Sequence, residues 1–220
     1  MVEYTAKSYK GLRLLLIVQI VSITYSMLTR TVHFGILNEW IKLAINVGIL
    51  FCLSKLVRAH SFYRVPATFL SIKVICTFAR LILDSKAVHP LVRDLFAENY
   101  IEVMTSVSRW IVWILLICDT GVMLFELIAH SKLVKPVNQR LSKCWRWMAV
   151  AALVLSMGMF MLNTLVPDML RLGTLDVEMY QKILPLLNLP GMIIRIAYIV
   201  FLFQTEQMLQ LAQADREEIL

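Results

Sequence analysis

The chain has 220 residues, of which 59% are hydrophobic and 17% charged, with a formal net charge of +7. An ordinary soluble domain is about 45–50% apolar and about 25% charged, so the composition excludes that class. The apolar residues form long runs, as membrane-spanning helices require. With 7 glycines, a glycine-rich nucleotide cradle and glycine-packed helix crossings are disfavoured.

The first apolar run covers residues 11–29 and follows Lys7, Lys10 and Arg13. It continues past Tyr25 without a small-residue cleavage site, which predicts a retained first helix rather than a signal peptide. Gln19, Ser22 and Ser26 form a polar stripe on it. The second run, 36–57, carries Glu39, Lys42 and Asn46 at i, i+3, i+7. The third, 65–84, is the least apolar because Lys73 and Arg80 lie inside it. Lys73, Thr77 and Arg80 share a helix face, and Pro66 suits the first turn, where its missing N–H costs nothing. Residues 90–105 place Val92, Leu95, Phe96 and Val103 at near-helical spacing. This predicts a short helix on the outer surface.

The fourth run, 108–130, holds Asp119 and Glu126 seven residues apart. The fifth, 146–167, is methionine-rich and carries Ser156 and Asn163; its methionines read as flexible packing rather than soft-metal ligands. The sixth, 183–204, carries Asn188 and Arg195 seven apart. Pro185 falls in its first turn, and Pro190–Gly191 predicts a kink or local break. The tail 205–220 is a good helix former and is expected to extend the sixth helix into the cytoplasm.

Charge sets the orientation. With the N-terminus inside, the loops 54–65 and 131–147 are cytoplasmic. They hold Lys55, Arg58, Arg64, Lys132, Lys135, Arg140, Lys143 and Arg146 without an acidic residue. On the outer side Arg30, Lys86, Arg93, Arg109, Arg171 and Lys182 are offset by Asp84, Asp94, Glu98, Glu102, Asp168, Asp176 and Glu178. This is a positive-inside pattern, and it assigns the net positive charge to topology rather than to nucleic-acid binding. Trp40, Trp110 and Trp113 fall at outer ends, and Trp145 and Trp147 at an inner end, where amphipathic rings are favoured. The expected fold is an all-α polytopic bundle of six transmembrane helices, residues 1–204, with both termini cytoplasmic and a helical tail.

Ionisable residues inside a bilayer cost several kcal/mol unless they face protein or water. Glu39, Lys42, Lys73, Arg80, Asp119, Glu126 and Arg195 all lie within the predicted spans. Each helix thereby gains one polar stripe, and the stripes are expected to face inward. Asn46, Lys73, Asp119, Ser156 and Arg195 fall near the midplane, which predicts a Lys73–Asp119 ion pair and leaves Arg195 as a cation suited to an anionic ligand. Glu39, Lys42 and Arg80 gather toward the outer side. Glu126 lies near the inner end, within reach of Arg13 or Arg146. Two readings compete: mutual pairing that holds the bundle together, or the lining of a ligand or ion path.

His60 and His130 end helices at the inner face and read as interface histidines, with no midplane histidine for a haem. Cys52, Cys76, Cys118 and Cys144 form no CxxC pair and no disulfide framework is expected. Cys52 lies eight residues from His60, but no third group orients them as a catalytic pair. No HExxH, GxSxG or paired-aspartate protease motif occurs. The sequence therefore points to a non-enzymatic membrane protein without cofactor or metal. It is expected to be a small permease or the membrane subunit of a transporter, self-associating or joined to a partner. A bacterial cytoplasmic membrane is the expected location. A sensor acting through its tail and a ligand-free scaffold are the alternatives.

Overall fold

A computed structural model describes residues 6–29, 35–83, 85, 90, 93–94, 99–171 and 176–217. Among these residues there is no strand. Among the described residues six long helices follow in order: α1 (Ala6–Leu28), α2 (Ile36–Ala59), α3 (Arg64–Leu83), α4 (Tyr100–Val134), α5 (Gln139–Arg171) and α6 (Val177–Glu217), with a 3-10 turn at Ser61–Tyr63. A helix satisfies its own backbone hydrogen bonds, which lipid cannot do for it. Among the described residues five stretches are long and apolar enough to cross a membrane: Tyr9–Leu28, Leu37–Ala59, Ser61–Leu83, Tyr100–Val134 and Leu189–Ala214. They mark a membrane-embedded protein.

The helices outrun the apolar runs. At about 1.5 Å per residue, the 35 residues of α4 reach well beyond the roughly 30 Å of a hydrocarbon core. The helix starts at Tyr100, so residues 100–105, read above as part of a separate surface helix, belong to α4. Glu102, Thr105, Ser108 and Arg109 lower the hydropathy without breaking a helix, and hydropathy marks the span, not the helix end. Val92, Leu95 and Phe96 lie outside the described residues. In α6 the backbone is helical through Pro185 and Pro190–Gly191. No break occurs there, because each proline removes one bond of the ladder and the flanking turns hold the rest.

The chain divides into two compact units. The first is Ile17–Phe125. Here α2 and α3 form an antiparallel hairpin. Its corner is His60, in extended backbone, whose N–H bonds the Leu56 carbonyl at 2.8 Å. Tyr63 and Pro66, next to the corner, are buried, as are Leu53, Leu56 and Leu70. The α1–α2 connection ends at Gly35, whose φ of 54° and ψ of −134° suit a residue without Cβ. The Tyr25 hydroxyl then donates to Asn38 Oδ1 at 2.7 Å, tying the end of α1 to the start of α2. Against α3, α4 stacks Phe125 on Phe69, with centroids 5.7 Å apart and planes 10° from parallel.

The second unit is Met1–Leu16 with Glu126–Leu220. Its apolar core includes Leu12, Leu15, Leu133, Val134, Trp145, Ala152, Leu202 and Leu209. The α4–α5 corner is tight. Asn138 donates its N–H to Val134 and accepts the Leu141 N–H on its side-chain oxygen at 3.0 Å, capping α5. Ser131 bonds both the carbonyl (2.9 Å) and the hydroxyl (3.0 Å) of Ser142 across the corner.

Candidate functional site

Two polar constellations lie within the apolar helices, one in each unit. In Ile17–Phe125 the centre is Lys73, one turn past Phe69 on α3. Its ammonium pairs with Asp119 Oδ1 on α4 at 2.5 Å and donates to Asn46 Oδ1 on α2 at 3.4 Å. Three helices thus meet at one cation. Gly121, two residues beyond Asp119, lets the helices close: a Cβ built there would lie 2.8 Å from Phe69 Cδ1. The pair is not sealed, because the Lys73 side chain is 21% exposed and that of Asp119 57%. Toward the start of α2, Lys42 pairs with Glu39 at 2.7 Å, both about half exposed.

The polar stripes do not all turn inward. Arg80, Asp119 and Arg195 are exposed on the surface of the chain. The physical reason is geometric: a helix with one or two neighbours covers only part of its circumference, and a residue at i+7 drifts off a narrow contact seam. Among the described residues, no three His, Cys, Asp or Glu side chains gather to hold a metal ion. Cys52 and Cys118 are buried, Cys76 is half-buried and Cys144 exposed. Asn163 and Asn188 have side chains outside the described set, as do His33 and His89 altogether.

The second constellation is deeper. Glu126 and His130 stand one turn apart on α4 and are both buried. Tyr198 on α6 donates its hydroxyl proton to Glu126 Oε1 at 2.6 Å, and the same hydroxyl oxygen lies 3.3 Å from His130 Nε2. His130 Nε2 and Glu126 Oε1 are themselves 3.7 Å apart. The Trp145 ring of α5 packs on His130, centroids 4.7 Å apart, and on Tyr198. Its indole N–H donates to Thr205 Oγ1 of α6 at 2.9 Å. Thr205, Glu206 and Leu209 are buried as well, so the start of the tail segment belongs to the core of this unit.

Two sequence readings change here. Glu126 meets Tyr198 and His130, while Arg13 and Arg146 are exposed. His130, read as an interface histidine, packs inside the protein and is fully buried. The i, i+4 spacing of Glu126 and His130 was a usable signal; Tyr198 and Trp145 were not, since their part depends on how α5 and α6 register against α4.

No family model, curated protein or solved structure matches the chain.

Proposed function

We propose that the chain is a six-span transport-type membrane protein, a small permease or the membrane subunit of a transporter, with both termini in the cytoplasm. The observation that carries this reading is the Lys73–Asp119–Asn46 cluster, a hydrogen-bonded ion pair in the middle of three apolar helices. Intramembrane charge is expensive and faces a partner, water or a path. The sixth span is the apolar part of α5, whose residues 148–167 carry no ionisable side chain. The basic residues at the 54–65 and 131–147 connections support the orientation. Catalysis has no part in this reading.

The exposure of Asp119 favours an assembled form. A carboxylate that is 57% exposed within a span is costly against lipid, so a second copy or a partner subunit covers that face. Arg195 adds a midplane cation, which suits a small anionic ligand. Compact connections suit a bacterial cytoplasmic membrane. The test is accessibility. In a background lacking the four native cysteines, single cysteines at Asn46, Thr77 and Ser156 are labelled from each side with a small impermeant thiol reagent. Labelling at several positions is expected, followed by anion uptake in proteoliposomes that Lys73→Met abolishes. No labelling from either side, with no uptake, rejects the transport reading. A sensor that signals through the tail is the second reading. It draws on the Trp145–Thr205 hydrogen bond, which couples the start of the tail to α5.

A further inference from the structure

We propose that Glu126, Tyr198 and His130 form a proton-holding site, in which a single exchangeable proton is held at either end of a three-member hydrogen-bond chain. A tyrosine hydroxyl has one proton to give. At 2.6 Å from Glu126 Oε1, that proton is directed at the carboxylate. The hydroxyl oxygen is then an acceptor toward His130, so Nε2 at 3.3 Å carries the hydrogen in this arrangement. The chain runs His130 Nε2–H to Tyr198 Oη, and Tyr198 Oη–H to Glu126 Oε1.

The chain can also run the other way. Starting from the imidazolium and the carboxylate, the Nε2 proton passes to Oη as the Oη proton passes to Oε1. The products are a neutral imidazole protonated at Nδ1, an unchanged tyrosine and a carboxylic acid. One proton has moved in net terms and no atom is gained or lost. Without the exchangeable proton, the same three groups hold a neutral Nε2–H imidazole and a carboxylate. Tyr198 is therefore the relay, and Glu126 and His130 are the two proton acceptors.

The surroundings favour a defined site over a surface titration. Both acceptors are buried on α4, and Trp145 covers the imidazole from α5. Among the described side chains, the other charged groups on the elements of this unit are Lys10 and Arg13 on α1, Lys132 on α4, Arg140, Lys143 and Arg146 on α5, and Arg195 and Glu206 on α6. All but Glu206 are exposed. The site stands on its own geometry. Its use as the place where a coupling proton binds rests on the transport reading above.

Trp145 supplies the assay, because an imidazolium against an indole quenches its emission and a neutral imidazole does not. The full-length chain is reconstituted with Trp40, Trp110, Trp113 and Trp147 replaced by Phe, and Trp145 emission is followed between about pH 5 and 8. In parallel, the unsubstituted protein is titrated by infrared difference spectroscopy for a carboxylic-acid carbonyl band. A transition in at least one signal is expected, with the carbonyl band lost in Glu126→Gln and the Trp145 midpoint moved by it. Tyr198→Phe should split the titration into separate steps. A flat response in both signals overturns the proposal. A Trp145 titration that Glu126→Gln leaves in place also overturns it, since His130 would then titrate alone. Neither signal depends on transport, so an absence of uptake would reject coupling while leaving the proton site standing.

Discussion

Replacing Gly121 with Ala should force α3 and α4 apart beside the ion pair. The new Cβ would lie 2.8 Å from Phe69 Cδ1 and 2.9 Å from Cγ, whereas ordinary contact begins at 3.4 Å. The ring must retreat by 3.4 − 2.8 = 0.6 Å. Phe69 cannot do so freely, because it is stacked on Phe125, and the near edge of the ring is the part in conflict. Overpacking of this kind costs about 1–3 kcal/mol, while Gly→Ala in a helix interior returns about 1 kcal/mol. The net effect runs from neutral to a loss of about 2 kcal/mol. Gly158 on α5 is the control, since nothing lies within 4 Å of its Cβ direction. Gly158→Ala should gain about 0.5–1 kcal/mol. The assay is equilibrium unfolding in mixed micelles, followed by circular dichroism. Adding Phe69→Leu to Gly121→Ala should recover part of the loss. If Gly121→Ala proves as stabilising as Gly158→Ala, the close approach of α3 and α4 is wrong, and with it the geometry of Lys73 and Asp119.

Lys73→Met leaves the Asp119 carboxylate within a span without its cation, so it should destabilise more than the double variant Lys73→Met/Asp119→Asn. A coupling of about 0.5–3 kcal/mol is expected in a double-mutant unfolding cycle, and additive losses would show that the pair is not formed. Trp145→Phe removes the donor to Thr205 and should cost about 1–2 kcal/mol, with Thr205→Val in the same background costing little more. His60 gives a pH dependence. It lies at the α2–α3 corner, between the apolar spans, and burial lowers its pKa from the usual 6.5. The unfolded chain therefore takes up the proton more readily than the folded one. Stability present above about pH 6.5 should fall as the pH drops toward the folded-state value, and unfolding titrations of His60→Gln should show a shallower slope.

Five of the six apolar runs read from the sequence fall, among the described residues, in helices long and apolar enough to cross a membrane, because length and hydropathy are properties of the sequence itself; the run in α5 is not among them. Lys73 and Asp119 were legible as a pair for a related reason: two opposite charges at one depth on consecutive antiparallel helices have few other partners. The exposure of Arg80 and Arg195 was not legible, since a helix's own periodicity says which residues share a face but not which face meets a neighbour. The same limit hid Tyr198 and Trp145. Both are amphipathic aromatics in apolar surroundings, and only the packing of α5 and α6 against α4 distinguishes a lipid-facing ring from one that holds a buried carboxylate. The helix ends were misjudged where polar residues such as Glu102 and Ser108 continue a helix beyond its apolar part.

The tight corner between α4 and α5 bears on how the chain is made. Asn138 caps α5 while its N–H closes the end of α4, and Ser131 clasps Ser142 across the turn. All of these bonds join residues at most eleven apart in sequence, so they can form before α6 has been synthesised. Local contacts form faster than distant ones. The α4–α5 corner can therefore form before α6 is made, and in the proposed orientation Lys132, Lys135, Arg140 and Lys143 hold its tip on the side where synthesis occurs. On this view α6 arrives last, and its Tyr198 and Thr205 complete a half-built pocket rather than nucleate one. Formation of the corner and assembly of the polar core become separate stages of biogenesis.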